Sequence, residues 1–334
     1  MAKQKLISTK MKVFMLCLFA GSIISFSAAG VLLYNSDFTL ANYFDVNDWN
    51  LNFFSNSSRL QGHESYLTNQ DLNEIENLSI DFNGYNVYFE TYEGNTLDLY
   101  LYDNFNRSSN SRNATSSNPV ESPFSISREG NKLTVKPNTN ILTELASHYE
   151  FMIKIPYSYN KGLSINSSSG EMKLDNLKLS NMNLKAINST INLNSVSCES
   201  ANISLTNGNI HGDSFSSKNL IASTVNGNLY FSPLSGEVKL TTVNGNIHST
   251  ITSYLTNLDI NTTSGYVNLN IPDEGDFSFN YSTMNGEFLS ELNNPNGSYL
   301  DIPTKVQGST DFSTGNGTNK INVKTVSGNF KIYN

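Results

Sequence analysis

The sequence predicts an all-β protein. The expected fold is a single-stranded parallel β-solenoid, or β-helix, of about eight to nine coils with an N-terminal β cap, preceded by one transmembrane helix. Three observations lead there. A short glycine-centred motif returns about every twenty residues through the C-terminal half. Around each glycine, apolar and polar residues alternate with period two, as in half-buried strands. Near the N-terminus, 22 residues from Val13 to Tyr34 carry no charge.

The first twelve residues contain Lys3, Lys5, Lys10 and Lys12 and no acid. As a helix, residues 13–34 would reach about 33 Å, enough to cross a hydrocarbon core of roughly 30 Å. The positive-inside bias then makes 1–12 a cytoplasmic basic tail and 13–34 a cell-membrane anchor in contact with the bilayer, with everything beyond outside. A cleaved signal peptide is the alternative, with Ser27 and Ala29 placed for cleavage before Gly30. The apolar run continues past that point through Val31, Leu32 and Leu33, which favours the anchor. Cys17 and Cys198 are the only cysteines in 334 residues, so no disulfide framework exists and an oxidising secretory route is not indicated; a Gram-positive surface suits better.

Residues 35–74 form an extracytoplasmic spacer with Trp49 and several Phe. A short helical turn is expected near Asp71–Asn77. Residues 75–160 read as the N-terminal β cap. Three short alternating strands fall in LSIDFNGYNVYFETYEGNTLDLYLY, and two or three more in FSISREGNKLTVKP and YEFMIKIPYSY. Between them, 104–122 has the composition of a flexible loop. A cap is required because an open first coil would expose unpaired backbone groups.

The repeat domain is 161–334. Its glycines are Gly170, Gly208, Gly227, Gly245, Gly265, Gly286 and Gly328. Two intervals are double. A degenerate copy, INSTINLN, puts Ser189 midway in the first, and VQGSTDF at Gly308 is a poorer candidate in the second. Two residues after each centre stand Met172, Ile191, Ile210, Leu229, Ile247, Val267, Phe288 and Phe330, all apolar; the residue before it is always Ser or Asn. The alternation changes phase across the glycine, so the chain bends there, and Asn-Gly or Ser-Gly supplies the left-handed backbone such a bend uses. Taken singly, each Asn-Gly could be a type I′ hairpin. Recurrence of the same residue types at the same positions favours stacked coils instead. The Ser/Asn column would then become a ladder of side-chain hydrogen bonds along the axis.

Composition narrows the function. There are 50 asparagines, far above ordinary usage, and the net charge is −8. Residues 35–160 carry 7 basic and 16 acidic side chains and residues 161–334 carry 10 and 13, so no basic face exists for nucleic acid. The only arginines are Arg59, Arg107, Arg112 and Arg128, none within the repeats. Acids there are scattered, apart from Asp273, Glu274 and Asp276 in one loop, which reads as a solvated turn rather than a calcium site. Glu171 could approach other acids across coils, yet no pair at glycosidase spacing stands out. No catalytic residue, metal site or cofactor is therefore assigned. His211, Tyr230 and His248 share the position three after the glycine on successive coils, which makes an outward stripe able to bind a sugar or aromatic group. Its two histidines would stand about 10 Å apart, too far to share one metal.

The order of these elements resembles the bacterial "putative adhesin" β-strand-repeat family, a domain of unknown function. The resemblance covers about 75–334: the strand pair LSIDFNGYNVYFE, the strand–proline step IKIP at Ile153–Pro156, then serial Ser/Asn-Gly-x-apolar units ending in KTVSGNFKI. It implies a membrane-anchored, non-enzymatic surface solenoid of the cell envelope, an adhesin or a binding and structural protein. Its partners would be cell-wall polymer or another surface protein. The alternatives are a sensory or regulatory partner of an envelope-stress signalling system and a carbohydrate-active enzyme on a β-helix scaffold. The family offers no catalytic residues to carry over.

Overall fold

The computed structural model describes residues 63–103, 122–138, 149–272, 275–292, 302–314 and 316–334. The tail, the anchor, most of the spacer and nearly all of the 104–122 loop lie outside the described residues, as do Asp273 and Glu274.

The described strands are β1 (His63–Asp71), β2 (Asn77–Asp81), β3 (Asn86–Tyr92), β4 (Thr96–Asp103), β5 (Phe124–Glu129), β6 (Lys132–Pro137), β7 (Tyr149–Pro156), β8 (Gly162–Asp175), β9 (Lys178–Asn194), β10 (Ser197–Asn207), β11 (Ile210–Asp213), β12 (Ser216–Asn226), β13 (Leu229–Asn244), β14 (Ile247–Ser264), β15 (Val267–Asn270), β16 (Phe277–Ser282), β17 (Glu287–Glu291), β18 (Lys305–Gln307), β19 (Thr310–Ser313), β20 (Asn319–Ser327) and β21 (Phe330–Tyr333). All join one sheet, which winds on itself.

Successive layers pair in parallel and in register. Leu163 lies beside Met182, Met182 beside Ala201, and Ala201 beside Leu220. Further on, Val238 pairs with Leu258 and Leu258 with Ile321. The hairpin alternative at Asn-Gly is thereby excluded. Each layer bends at the glycine and again about six residues later, where Asn176, Ser195 and Ser214 take positive φ without being glycine. Just past this second corner, Leu177, Val196, Phe215 and Leu234 turn inward. The inward columns form one continuous apolar core.

Stacking order departs from sequence order at both ends. From one end the layers are β6 with β7, β2 with β3, then β8, β9 and β10 with β11. The strands β12 to β15 continue the stack in sequence order. The last stretch of chain, β20 with β21, comes next, and β16 with β17 lies beyond it. The outermost parallel strands are then covered by antiparallel ones: β5 on β6, β4 on β7, β19 on β16 and β18 on β17. Such coverage removes the open edges that a stack of strands would otherwise present.

Several local expectations change. VQGSTDF at Gly308 is not a coil; it forms the antiparallel cover β18–β19. Strands β2 and β3, read as cap, pair in parallel with β8 as a layer of the stack. Part of the spacer is strand β1, which pairs antiparallel with β4. The expected helical turn near Asp71–Asn77 is a turn closed by Ile75 N–H donating to the Leu72 carbonyl, followed directly by β2.

The bends also need glycine for a second reason. Gly227 has φ +157, and a Cβ there would collide with the Gly208 carbonyl of the layer below. Gly245 lacks a positive φ, yet its Cβ would strike the Gly227 carbonyl in the same way. Close approach of one layer's backbone to the next, more than left-handed geometry, excludes a side chain here.

Candidate binding surface

Two ladders frame the glycine corner. Before the glycine, Asn207 Nδ2 donates to Asn188 Oδ1 (2.7 Å), Asn226 to Asn207 (2.8 Å) and Asn244 to Asn226 (2.9 Å). Just after it, asparagine carbonyls accept the next layer's backbone N–H: Asn228 N to Asn209 Oδ1, Asn246 N to Asn228 Oδ1 and Tyr266 N to Asn246 Oδ1. The abundance of asparagine thus has a structural use, since an amide can give and take one bond along the axis in every layer. A third ladder was missed in the sequence. Buried Thr224, Thr242 and Thr262 donate their hydroxyls to the carbonyls of Gly208, Gly227 and Gly245. The signal was present as Thr three before the glycine, but a hydroxyl at a buried position reads from sequence as a break in the apolar pattern.

The stripe three residues after the glycine forms on the strands that leave the corner. His211 pairs in register with Tyr230, and Tyr230 with His248. The His211 and Tyr230 rings stack at 4.7 Å with 8° between planes; Tyr230 and His248 stack at 5.3 Å and 10°. Tyr266 meets His248 edge-on at 5.5 Å and 89°. The column continues at either end with Asn192 and Asn268. Stacking along the axis occupies the ring faces, and the rings are half-buried, so the surface presents their edges.

Burial lowers the pKa of both His211 and His248, which keeps the imidazoles neutral near pH 7. The Asn268 amide lies 3.4 Å from His248 Nδ1. An NH₂ group can only donate, so Nδ1 accepts and the ring proton sits on Nε2. Burial, and then the neighbouring Tyr266, raises the Tyr230 phenol, which stays protonated. With the Tyr230 layer between them, the histidines cannot hold one ion; among the described residues no group of three or more His, Cys, Asp or Glu is arranged for a metal.

Among the described residues, the acids Glu171, Glu287 and Asp276 have structural partners. Asn192 Nδ2 donates to Glu171 Oε1 at 2.7 Å, and Lys305 pairs with Glu287 at 2.8 Å. Asp276 accepts from Gly317 N–H and the Thr318 hydroxyl, each at 2.6 Å; those bonds, the Thr318 one foremost, lower its pKa. Cys198 is buried between Leu179 and Ser217 in its column, and burial raises its thiol pKa, as suits an unreactive core position. On the strands before the corner, a cavity of about 540 Å³ is lined by Lys239, Asp259, Asn261, Asn280, Asn322 and Lys324. There Asn322 holds Asp259 at 2.8 Å.

In-register parallel layers and side-chain ladders along the axis define a β-solenoid-like repeat protein. The Toastrack DUF4097 family matches residues 75–333, and the chain belongs to it. Two solved structures are similar. One, from Clostridium sporogenes ATCC 15579, is described as a "putative cell adhesion protein"; it is 11% identical, with 82% of this chain and 99% of that one covered and a TM-score of 0.26. The other, a "putative adhesin" from Bacteroides fragilis NCTC 9343, is 14% identical over 80% of this chain and 96% of that one, with a TM-score of 0.43. No curated protein sequence matches the chain.

Proposed function

We propose that the chain is a non-enzymatic surface protein of the cell envelope. Residues 13–34 anchor it in the membrane with residues 1–12 inside, and the repeats contact cell-wall polymer outside. The observation that carries this reading is the half-buried His211–Tyr230–His248 column within a long, asparagine-rich sheet. It presents polar ring edges at a regular interval, and hydroxyl-rich polymers are held by just such repeated, individually weak contacts. Support for a non-enzymatic role comes from the acids: Glu171, Asp276 and Glu287 are engaged in structural bonds and pairs rather than poised in a cleft.

Incubating the full chain, in detergent, with isolated Gram-positive cell wall tests the proposal. The chain should sediment with the wall and release no soluble sugar. Failure to sediment would overturn the wall-binding reading, and steady sugar release would establish the carbohydrate-active alternative instead.

A further inference from the structure

The ring column allows the ligand to be narrowed, an inference that rests on the wall-polymer reading above. His211, Tyr230 and His248 occupy three adjacent layers with their planes parallel, so the inner faces are taken by one another and the two outer ones look onto the Asn192 and Asn268 layers. A sugar cannot lie flat on these rings. What they offer is a line of hydrogen-bonding edges: the Nε2 proton of His248, the Tyr230 hydroxyl and a nitrogen of His211. Tyr266 is turned perpendicular to His248 and is 45% exposed, so its plane runs along the stack and supplies the flat platform that the others lack.

The spacing selects a polymer. Each layer advances the column by about one strand spacing, and like groups, the two histidines, recur every second layer, roughly 10 Å apart. An extended β-1,4-linked glycan has the same two periods: each sugar advances the chain by about 5 Å, near the strand spacing, and successive rings alternate in orientation, so substituents return to one side every second sugar. The chemistry selects the substituent. An N-acetyl carbonyl is a strong acceptor, suited to an imidazole N–H on every second layer, while the hydroxyl of the intervening sugar can pair with the Tyr230 phenol, which donates and accepts. The column is neutral near pH 7, so the acceptor it suits is uncharged. We infer that His211, Tyr230 and His248 form a binding site for a linear β-1,4-linked, N-acetylated amino-sugar glycan lying along the stacking axis, with Tyr266 under the sugar at one end.

Calorimetry on the full chain in detergent tests this with three probes: the β-1,4-linked N-acetylglucosamine hexamer, the corresponding dimer, and cellohexaose, which has the same linkage and length without acetamido groups. The hexamer should bind about tenfold more tightly than either of the others, and H211F/H248F, which keeps the rings and removes their nitrogens, should lose about tenfold for the hexamer. Equal affinity for cellohexaose, or an undiminished hexamer affinity in a folded H211F/H248F, would overturn the inference. Should that variant fail to fold, the comparison of sugars on the unaltered chain still decides it. A chain that sediments with cell wall yet ignores the hexamer refutes the glycan site and leaves wall binding standing, whereas loss of both refutes both.

Discussion

The middle of the stack and its two ends solve the same problem differently. From β8 to β15 the layers follow one another in sequence order and repeat one set of contacts: asparagine to asparagine, threonine hydroxyl to glycine carbonyl, aliphatic over aliphatic. At the ends the order is exchanged, so that β2–β3 and β20–β21 are each clasped between the middle and an outer layer. Aliphatics there give way to rings. Phe82, Tyr85, Phe124 and Phe151 meet at one end; Phe279, Phe288, Phe312 and Phe330 meet at the other. A solenoid core is a column of apolar atoms that must stop somewhere. Large rings close it with few residues, and the exchanged order ties the terminal stretch of chain beneath a layer already laid down.

If the middle is a chain of mutually dependent layers, a charge placed in it should do the most damage. Ile247 is fully buried between Leu229 and Val267. Ile247→Asp should cost about 4–5 kcal/mol or more, since its column neighbours Leu229 and Val267 offer a carboxylate no partner. Thermal and denaturant melting would show a cooperative loss of structure, and an unchanged transition would contradict the dependence of each layer on the next. The corresponding blow at an end is Phe330→Ala. It removes a fully buried ring that packs on Tyr281 and Phe288, at a cost of about 3–5 kcal/mol. Hydrogen exchange should then rise first in β16, β17, β20 and β21 while the middle stays protected. Loss of protection everywhere at once would erase the distinction between the regions.

The difference also governs what was legible beforehand. The middle repeats itself, so one correctly read unit supplied its neighbours: the inward residues, the serine/asparagine ladder and the ring stripe were all visible as columns. The ends repeat nothing. Nothing in VQGSTDF marks it as an antiparallel cover rather than a worn coil, and the insertion of β20–β21 inside β16–β17 depends on which aromatic core fits which, a property of packing rather than of spacing. The second corner was hidden for a related reason. Asn176, Ser195 and Ser214 adopt left-handed backbone without glycine, and only the apolar residue that follows each records the turn. The stripe was legible as a column able to bind a sugar or aromatic group, while the mutual stacking that turns the ring edges outward follows from side-chain rotamers, which a sequence does not display.

Smaller changes sharpen the comparison by removing one hydroxyl from equivalent roles. In the middle, Thr242→Val removes the hydroxyl that donates to Gly227 (3.0 Å); at the end, Tyr281→Phe removes the phenol that donates to Gly328 (2.5 Å). Each should cost about 1 kcal/mol by denaturant titration. The end variant should loosen only the terminal layers by hydrogen exchange, and the middle one should act on the whole stack. Equal and global effects would mean that the exchanged end is as tightly coupled as the centre.

The smallest effect concerns pH and belongs to the middle alone. Burial holds the imidazoles of His211 and His248 below their ordinary value of about 6.5. Around them lie Asn192, Tyr230, Tyr266 and Asn268 from neighbouring strands, with Asp213 two residues beyond His211 on its own strand. As the pH falls, the unfolded chain takes up these two protons before the folded one does, so acid favours unfolding. The stabilisation is complete above about pH 6.5 and is lost as the pH drops through that value and then through the lower pKa of the folded state. Melting temperature should therefore decline between pH 7.5 and 5, and H211F/H248F should flatten that part of the profile while leaving the steeper loss at carboxylate pH values in place. A melting temperature that rises on acidification over this interval would mean that the stacked imidazoles are stabilised as cations, placing charge, not neutral edges, on the binding face.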